Sequence, residues 1–464
     1  MEATWEKRAC FMKTRSVLPL SAALALMSAL AMAGDGVIDL TSLENYANQT
    51  IPAYITRNNT TAGNAITDKG ATLGRVLFYD KRLSRNDTIS CSACHQQAHG
   101  FSDVDTASTG VNGSTGRHSM RLINARFAGE VRFFWDERAA TLENQTTQPI
   151  RDHAEMGFSG AEGDPAFSEL LTKLAAIPEY QVLFQMTFGD ASVTEARIQQ
   201  ALSQFIRSIQ SFDSRFDLGR AQVANNGANF PNFTADENAG KQLFLDPPNQ
   251  NGAGCAGCHR PPEFDIDPAS RNNGVITKIG GGTDLTNTRS PSLRDLLGPG
   301  GASNGAFMHD GSLTSLEAVI DHYDAIPGDN ADLDQRLRRP GSQVQNLGLT
   351  ETEKEQLVAF LQTLTGTAVY TDERWADPFD EAGQLSLIVF PPTEIAIEKT
   401  GSATAKVMCQ AVSGLQYQLQ ASTDLVDWST LVATVTADAN GLCQHTVNLN
   451  GAKFYRYAYP VSTP

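Results

Sequence analysis

Cys91-Ser92-Ala93-Cys94-His95 and Cys255-Ala256-Gly257-Cys258-His259 are two copies of the pattern C-x-x-C-H. With 7 Cys and 8 His in 464 residues, chance supplies roughly 0.002 copies, so the pair is not accidental. The spacing has a chemical reason. Two thiols one helical turn apart reach the two vinyl groups of one haem and form thioethers, and the next residue's imidazole then faces the iron from the same side. Covalent attachment keeps such a group bound outside the cell. Two other readings compete. Four Cys can hold one structural zinc, although neither adjacent His is then needed. Each pair can be a thioredoxin-like dithiol, although a βαβ context is missing. The reading that uses every motif residue is two covalently bound haem c groups, on Cys91 and Cys94 and on Cys255 and Cys258. His95 and His259 are then the proximal iron ligands.

Outward from the motifs, Ala71 to about Gly366 is mostly helical in pattern. Thr194 is a candidate N-cap, with Ile198, Leu202, Phe205 and Ile209 on one face behind it. Thr350 and Glu353 form a capping box, followed by the stripe Leu357, Phe360, Leu361 and Leu364 and by Gly366 as a stop. Gly- and Asn-rich connections, such as Asn225 to Asn232 and Gly280 to Asn287, interrupt the helices. Beyond about Pro378 the pattern changes to short alternating runs: Leu385 to Phe390, Glu394 to Glu398, Thr404 to Ala411, Gln416 to Ala421, Thr430 to Thr436 and Phe454 to Tyr459. Pro391-Pro392, Gly401 and Asn440-Gly441 separate them. These predict a small all-β sandwich in which Cys409 and Cys443 form a disulfide.

The chain opens on an export signal. Lys13 and Arg15 precede the apolar run Val17 to Met32, and Ala31-Met32-Ala33 has the small-x-small form that a signal peptidase accepts. The competing reading is a membrane anchor, but the run is short of the roughly 20 residues a span needs. No later stretch is long and apolar enough to cross a membrane. Hydrophobic residues are 41% and charged residues 19%, as in soluble globular proteins. Lys plus Arg is 36 against 52 Asp plus Glu, a net −16, or about −18 once the signal is removed. That balance argues against nucleic acid and favours basic partners. The expected organisation is a signal peptide at 1–33, haem domains at 34–215 and 216–378, and the β-sandwich at 379–464.

Leu73-Gly74-Arg75 with Leu77-Phe78, Phe101-Ser102-Asp103, Phe134-Trp135-Asp136-Glu137-Arg138-Ala139, Glu155-Met156-Gly157, Pro291-Ser292-Leu293-Arg294 and Met308-His309-Asp310-Gly311 occur in that order around the two motifs. In this the chain resembles the bacterial di-haem cytochrome c peroxidases, the superfamily that includes MauG, over about Ala71 to Gly366. The resemblance implies a mainly α fold of two cytochrome c-like domains, the first haem reacting with peroxide and the second admitting electrons. Trp135 falls at the inter-haem tryptophan of the family. Gln145 and Glu155, 10 and 20 residues further on, match its distal pair, with Glu155 as acid/base and Gln145 placing peroxide or water. Glu155 is expected to have a raised pKa from desolvation.

The second axial ligand of the C-terminal haem is a Met fourteen residues after the His of His-Asp-Gly in the classical peroxidases. That position is Tyr323 here, which resembles MauG, where the Tyr ligates iron; Met308 and His322 are the other candidates. The family's capping His after the first motif has no counterpart between Asp105 and Gly116, so the resemblance implies an iron open without prior reduction. His118 stands at an Asn that ligates an inter-haem calcium in the family, and Asn304 and Ala306 replace the Thr and Pro whose carbonyls assist it, which leaves a single calcium ion in question. His99, His153 and His445 have no assigned chemistry.

These readings combine in a periplasmic enzyme that reduces hydrogen peroxide with electrons from a small cytochrome c or cupredoxin. The alternative is a MauG-like enzyme that oxidises a partner protein through a high-valent iron state, favoured by Tyr323 and the absent capping His. A pure electron-transfer protein is a third class, and Glu155 and Gln145 argue against it.

Overall fold

Four helices, each opened by a threonine, frame the two motifs in the computed structural model, which describes residues 34–390, 395–449 and 454–459. In the first half, Thr67 caps Asp68–Tyr79 by accepting the Gly70 N–H at 3.0 Å, and Thr194 caps Glu195–Ser208 through the Arg197 N–H at 3.3 Å. The second of these buries Ile198, Leu202 and Phe205, the stripe their spacing predicts. The pair packs closely because Gly70 and Gly74 stand at the contact. A side-chain carbon at either would run into the Gln204 side chain or the Ala201 carbonyl oxygen.

The second half repeats the device. Thr234 opens Ala235–Leu245 and Thr350 opens Glu351–Gln362, each with a capping box, and Gly240 lies against the Gln356 carbonyl. The last helix ends at Gln362, short of Gly366, where the Thr363 hydroxyl turns back to the Phe360 carbonyl at 2.6 Å. Each motif follows the first helix of its pair, Cys91–Cys94 as one helical turn and Cys255–Gly257 as a 3-10 turn. Leu77, Phe78, Phe101, Phe205 and Ile206 form the core of the first half, and Phe216, Phe230, Phe244, Phe264 and Phe360 that of the second.

The C-terminal segment forms two three-stranded antiparallel sheets. One orders Leu442–Asn448, Thr404–Gln410 and Ala396–Lys399; the other orders Ser429–Thr436, Gln416–Ser422 and Phe454–Ala458. Val407, Leu415, Tyr417, Leu419 and Cys443 fill the space between them. Leu442–Asn448 is not among the expected runs, because its polar Gln444, His445 and Thr446 hide the alternation; only Cys443 and Val447 are buried.

The expected disulfide is not formed. Cys409 and Cys443 are directly opposite in register but are free thiols, turned toward separate carbonyls, Gln410 at 3.1 Å and Val435 at 3.9 Å. The lead-in before Gly70 also does more than its polarity implied. Val37–Asp39 is a strand pairing parallel with Ser386–Ile388, and Tyr54 and Thr56 bond to Asp217 and Glu263 of the second half at 2.8 and 2.9 Å.

The sandwich core is continuous with that of the first half, through Met186, Phe379 and Leu385. Between them, Arg374, Trp375 and Ala376 run along the first helix, their carbonyls accepting from Tyr46, Tyr79 and Arg75. The export segment, the Pro391-Pro392 turn and Glu394 lie outside the described residues. No described helix is long and apolar enough to cross a membrane.

Candidate active site and cofactor cavities

Each motif opens into its own cavity. The first, of about 470 Å³, is lined by Cys91, Cys94, His95, Phe78, Leu202 and Ile206. The second, of about 600 Å³, is lined by Cys255, Cys258, His259, Phe244, Ile320 and Leu361. The four motif cysteines therefore do not converge on one ion, which removes the single-zinc reading, and the described residues hold no cluster of three or more His, Cys, Asp or Glu suited to a metal ion. Burial pushes the Cys91 and Cys255 thiols up to about 12, and the histidines down to about 4 for both His95 and His259. Neutral imidazoles are the form that ligates a metal.

The residues at each cavity fit a haem. Two thiols and an imidazole stand at an apolar space of prosthetic-group size. The His95 ring contacts the Phe101 carbonyl through Nδ1 at 3.4 Å, which leaves Nε2 for a ligand, while His259 Nδ1 is buried without a protein partner.

Gln145 and Glu155 both line the first cavity, as their spacing predicts. Gln145 comes from the short helix Leu142–Thr146. Glu155 comes from a turn built by Asp152, whose carboxylate accepts the Ala154 and Glu155 N–H groups at 2.8 and 3.1 Å. The segment from Asp105 to Gly116 folds as a hairpin against this turn. Its Val111 and Asn112 N–H groups donate to the Glu155 and Ala154 carbonyls at 3.0 and 3.1 Å. The hairpin can lie this close because Gly110 carries no side chain to meet the Ala154 carbonyl. Burial first, and then Asp152, raise Glu155 to about 7, against the opposing pull of Arg138.

Trp135 lines both cavities. A tight turn presents it, with Phe134 and Glu137 at φ of 72° and 56°, and the Phe133–Ala139 bridge closes the turn. Its indole N–H donates to the His118 carbonyl at 2.8 Å, and its ring meets His309 edge-on with centroids 6.3 Å apart.

Tyr323 and Met308 both line the second cavity, and one side chain holds both. Asn273 Nδ2 lies 3.2 Å from the Met308 sulfur and 3.4 Å from the Tyr323 hydroxyl. Burial drives the Tyr323 pKa up. His322 is turned away and bonds to the Asn273 carbonyl at 2.9 Å, so it is not a candidate ligand.

The calcium expectation meets a poor donor set. His118 brings an imidazole whose Nδ1 bonds to the Asp105 carbonyl at 3.0 Å, and the Asn304 amide donates to the Asp295 carbonyl and the Tyr370 hydroxyl.

What the motifs did not reveal is the wall between the cavities. Arg121 and Arg289 line both, and neither stands in a recognisable pattern; only the fold brings Arg121 from the first half beside Arg289 from the second.

Comparison with known proteins places this architecture. Residues 68–223 match the model of the di-haem cytochrome c peroxidase family. The methylamine utilization protein MauG of Methylophilus methylotrophus is 32% identical over 66% of this chain and 85% of its own. The cytochrome c551 peroxidase of Nitrosomonas europaea is 28% identical over 64% and 80%. Among solved structures, a MauG-like protein associated with microbial copper homeostasis superposes with a TM-score of 0.57 at 29% identity, over 71% of this chain and 99% of its own. The class is thus a haem-dependent oxidoreductase. The chain belongs to the di-haem cytochrome c peroxidase and MauG superfamily.

Proposed function

We propose that this chain is an exported di-haem oxidoreductase that consumes hydrogen peroxide in the first cavity and takes electrons from a small donor protein, a cytochrome c or a cupredoxin, by way of the second. The observation that carries this is Glu155. It faces the same cavity as His95 and Gln145, and burial has raised it to about 7. Cys91 and Cys94, and Cys255 and Cys258, would hold a haem each, and the haem would supply redox chemistry toward peroxide. His95 and His259 would be the imidazoles that hold its iron.

The chain's own residues do the rest. Gln145 orients peroxide by hydrogen bonding. Glu155, ionised, takes the proton from one peroxide oxygen and returns it to the departing one, a task that favours a pKa near the working pH. The Asp105 to Gly116 hairpin carries no His, and it lies on the Glu155 turn, so no imidazole from it closes the cavity to a small oxidant. Trp135, edge to both cavities, provides an aromatic route between them. The acidic net charge attracts the basic rim of a donor.

A second reading has its own observation. Tyr323 reaches the second cavity, which supports MauG-like oxidation of a partner protein in place of turnover with a donor. Holoprotein mixed with peroxide, with and without reduced cytochrome c, separates the two. Steady cytochrome c oxidation supports the peroxidase. A long-lived oxidised spectrum indifferent to cytochrome c supports the second reading. A pair of six-coordinate low-spin haems unreactive to peroxide overturns both.

A further inference from the structure

Two arginines in the wall between the cavities make no ion pair with a carboxylate. Arg121 donates through Nε to the Arg294 carbonyl at 3.1 Å and through a terminal nitrogen to the Ser292 carbonyl at 3.2 Å. The acid whose field reaches it, Asp295, makes no ion pair with it. The Asp295 Oδ1 atom is taken by the Gly366 N–H and the Tyr370 hydroxyl at 2.8 and 3.1 Å, and burial pushes that carboxyl up to about 6. Arg289 is 7% exposed, donates to the Arg132 carbonyl and lies 4.5 Å from the centre of the Phe133 ring; Glu130, Glu137 and Asp265 act on it from a distance without an ion pair.

Three other arginines that line the cavities, Arg117, Arg138 and Arg336, are paired. Arg117 meets Asp136 and Asp284, each at 2.7 Å, and Arg336 meets Asp334 at 2.8 Å. Carbonyl oxygens satisfy N–H groups but do not neutralise a charge, and a buried cation without a counter-ion is strongly disfavoured. An anion supplied by what fills the cavities would give Arg121 the direct partner it lacks. A guanidinium presents a planar fork matched to carboxylates, and with Nε and one terminal N–H on carbonyls, Arg121 keeps its outer pair of terminal nitrogens for an anion, one nitrogen toward each side.

We propose that Arg121 is a two-sided carboxylate anchor that binds one propionate of the haem in each cavity, with Arg289 as the second cation of the same partition. This rests on reading both cavities as haem sites. Arg121 is a positioning residue. It holds the two cofactors in register and cancels propionate charge on both sides of the wall. Less negative charge near an iron favours its reduced state, so losing this cation lowers the midpoint potential on both sides.

The test uses holoprotein of the parent, R121Q, R121K and R271Q, since Arg271 is exposed and lines the second cavity alone. Haem per chain is measured first by the pyridine haemochromogen. Two per chain in the parent leaves the cofactor reading intact whatever follows, and fewer overturns that reading instead. In spectroelectrochemical titration, R121Q shifts both midpoints downward, R121K stays near the parent, and R271Q moves at most the second. A shift confined to one haem in R121Q, or no shift, overturns the anchor. Should R121Q fail to retain two haems, resonance Raman spectra of R121K decide. The propionate bending bands of both haems move if the fork binds them, and unmoved bands reject it.

Discussion

In the proposed mechanism Glu155 moves the proton, and its surroundings make its ionisation costly. The folded state holds the proton up to about pH 7, whereas the unfolded chain releases it near 4.3. Stability is therefore lost as pH rises from about 4.3 to 7 and is level above. E155Q removes that loss, so its thermal midpoint should exceed the parent's by a margin that grows across this window. Catalysis moves the other way. Peroxide turnover in the parent should fall as pH drops below about 7, and E155Q should lose on the order of 10²–10³ of kcat together with that limb. A retained acid limb in E155Q would assign it to another group. At the second cavity, Y323F should alter the resting absorption and EPR spectra of one haem only. An unchanged spectrum removes the argument for MauG-like ligation and leaves Met308 as the ligand. That Glu155 and Gln145 line the first cavity and Tyr323 the second agrees with the positions the family resemblance implies for them. That Asn273 joins Tyr323 to Met308 was not legible in the sequence, because Asn273 lies 35 and 50 residues from them.

Among the elements, the two helix pairs position the motifs, and each depends on a missing side chain. G74V should drive the helix Asp68–Tyr79 away from the Ala201 carbonyl and cost about 1–3 kcal/mol of stability, read by guanidinium unfolding of the holoprotein. Wild-type stability in G74V would mean that the crossing is loose. The caps that open these helices were readable as Thr194 and Thr350 because a side-chain cap is a local interaction. The need for glycine at 74 and 240 was not, since the partner carbonyl belongs to a helix more than a hundred residues away. The hairpin Thr109–Ser114 teaches the same lesson. Its sequence shows only that it lacks a histidine, while its bonds to the Ala154 and Glu155 carbonyls come from the fold.

At the scale of the molecule, the sandwich shares the apolar core of the first half. A chain ended after Asp380 should expose Met186 and its neighbours, melt at a lower temperature and bind a hydrophobic dye; an unchanged melting temperature would show that the sandwich is only appended. The net charge of −16 belongs to this scale too. Oxidation of a basic cytochrome c should slow as ionic strength rises through the physiological range, where the screening length is about 8 Å. A rate indifferent to salt would point to a neutral or acidic donor.

The two C-x-x-C-H motifs, the caps and the order of the surrounding motifs are local or evenly spaced patterns, and the amino-acid sequence by itself determined from them the superfamily and its haem dependence. Three things were decided only in three dimensions: the hairpin seated on the Glu155 turn, Asn273 joining Tyr323 to Met308, and Arg121 beside Arg289 in the wall. Each depends on residues far apart in the chain meeting at one place, and burial, which sets their charges and pKa values, exists only once the chain has closed around them.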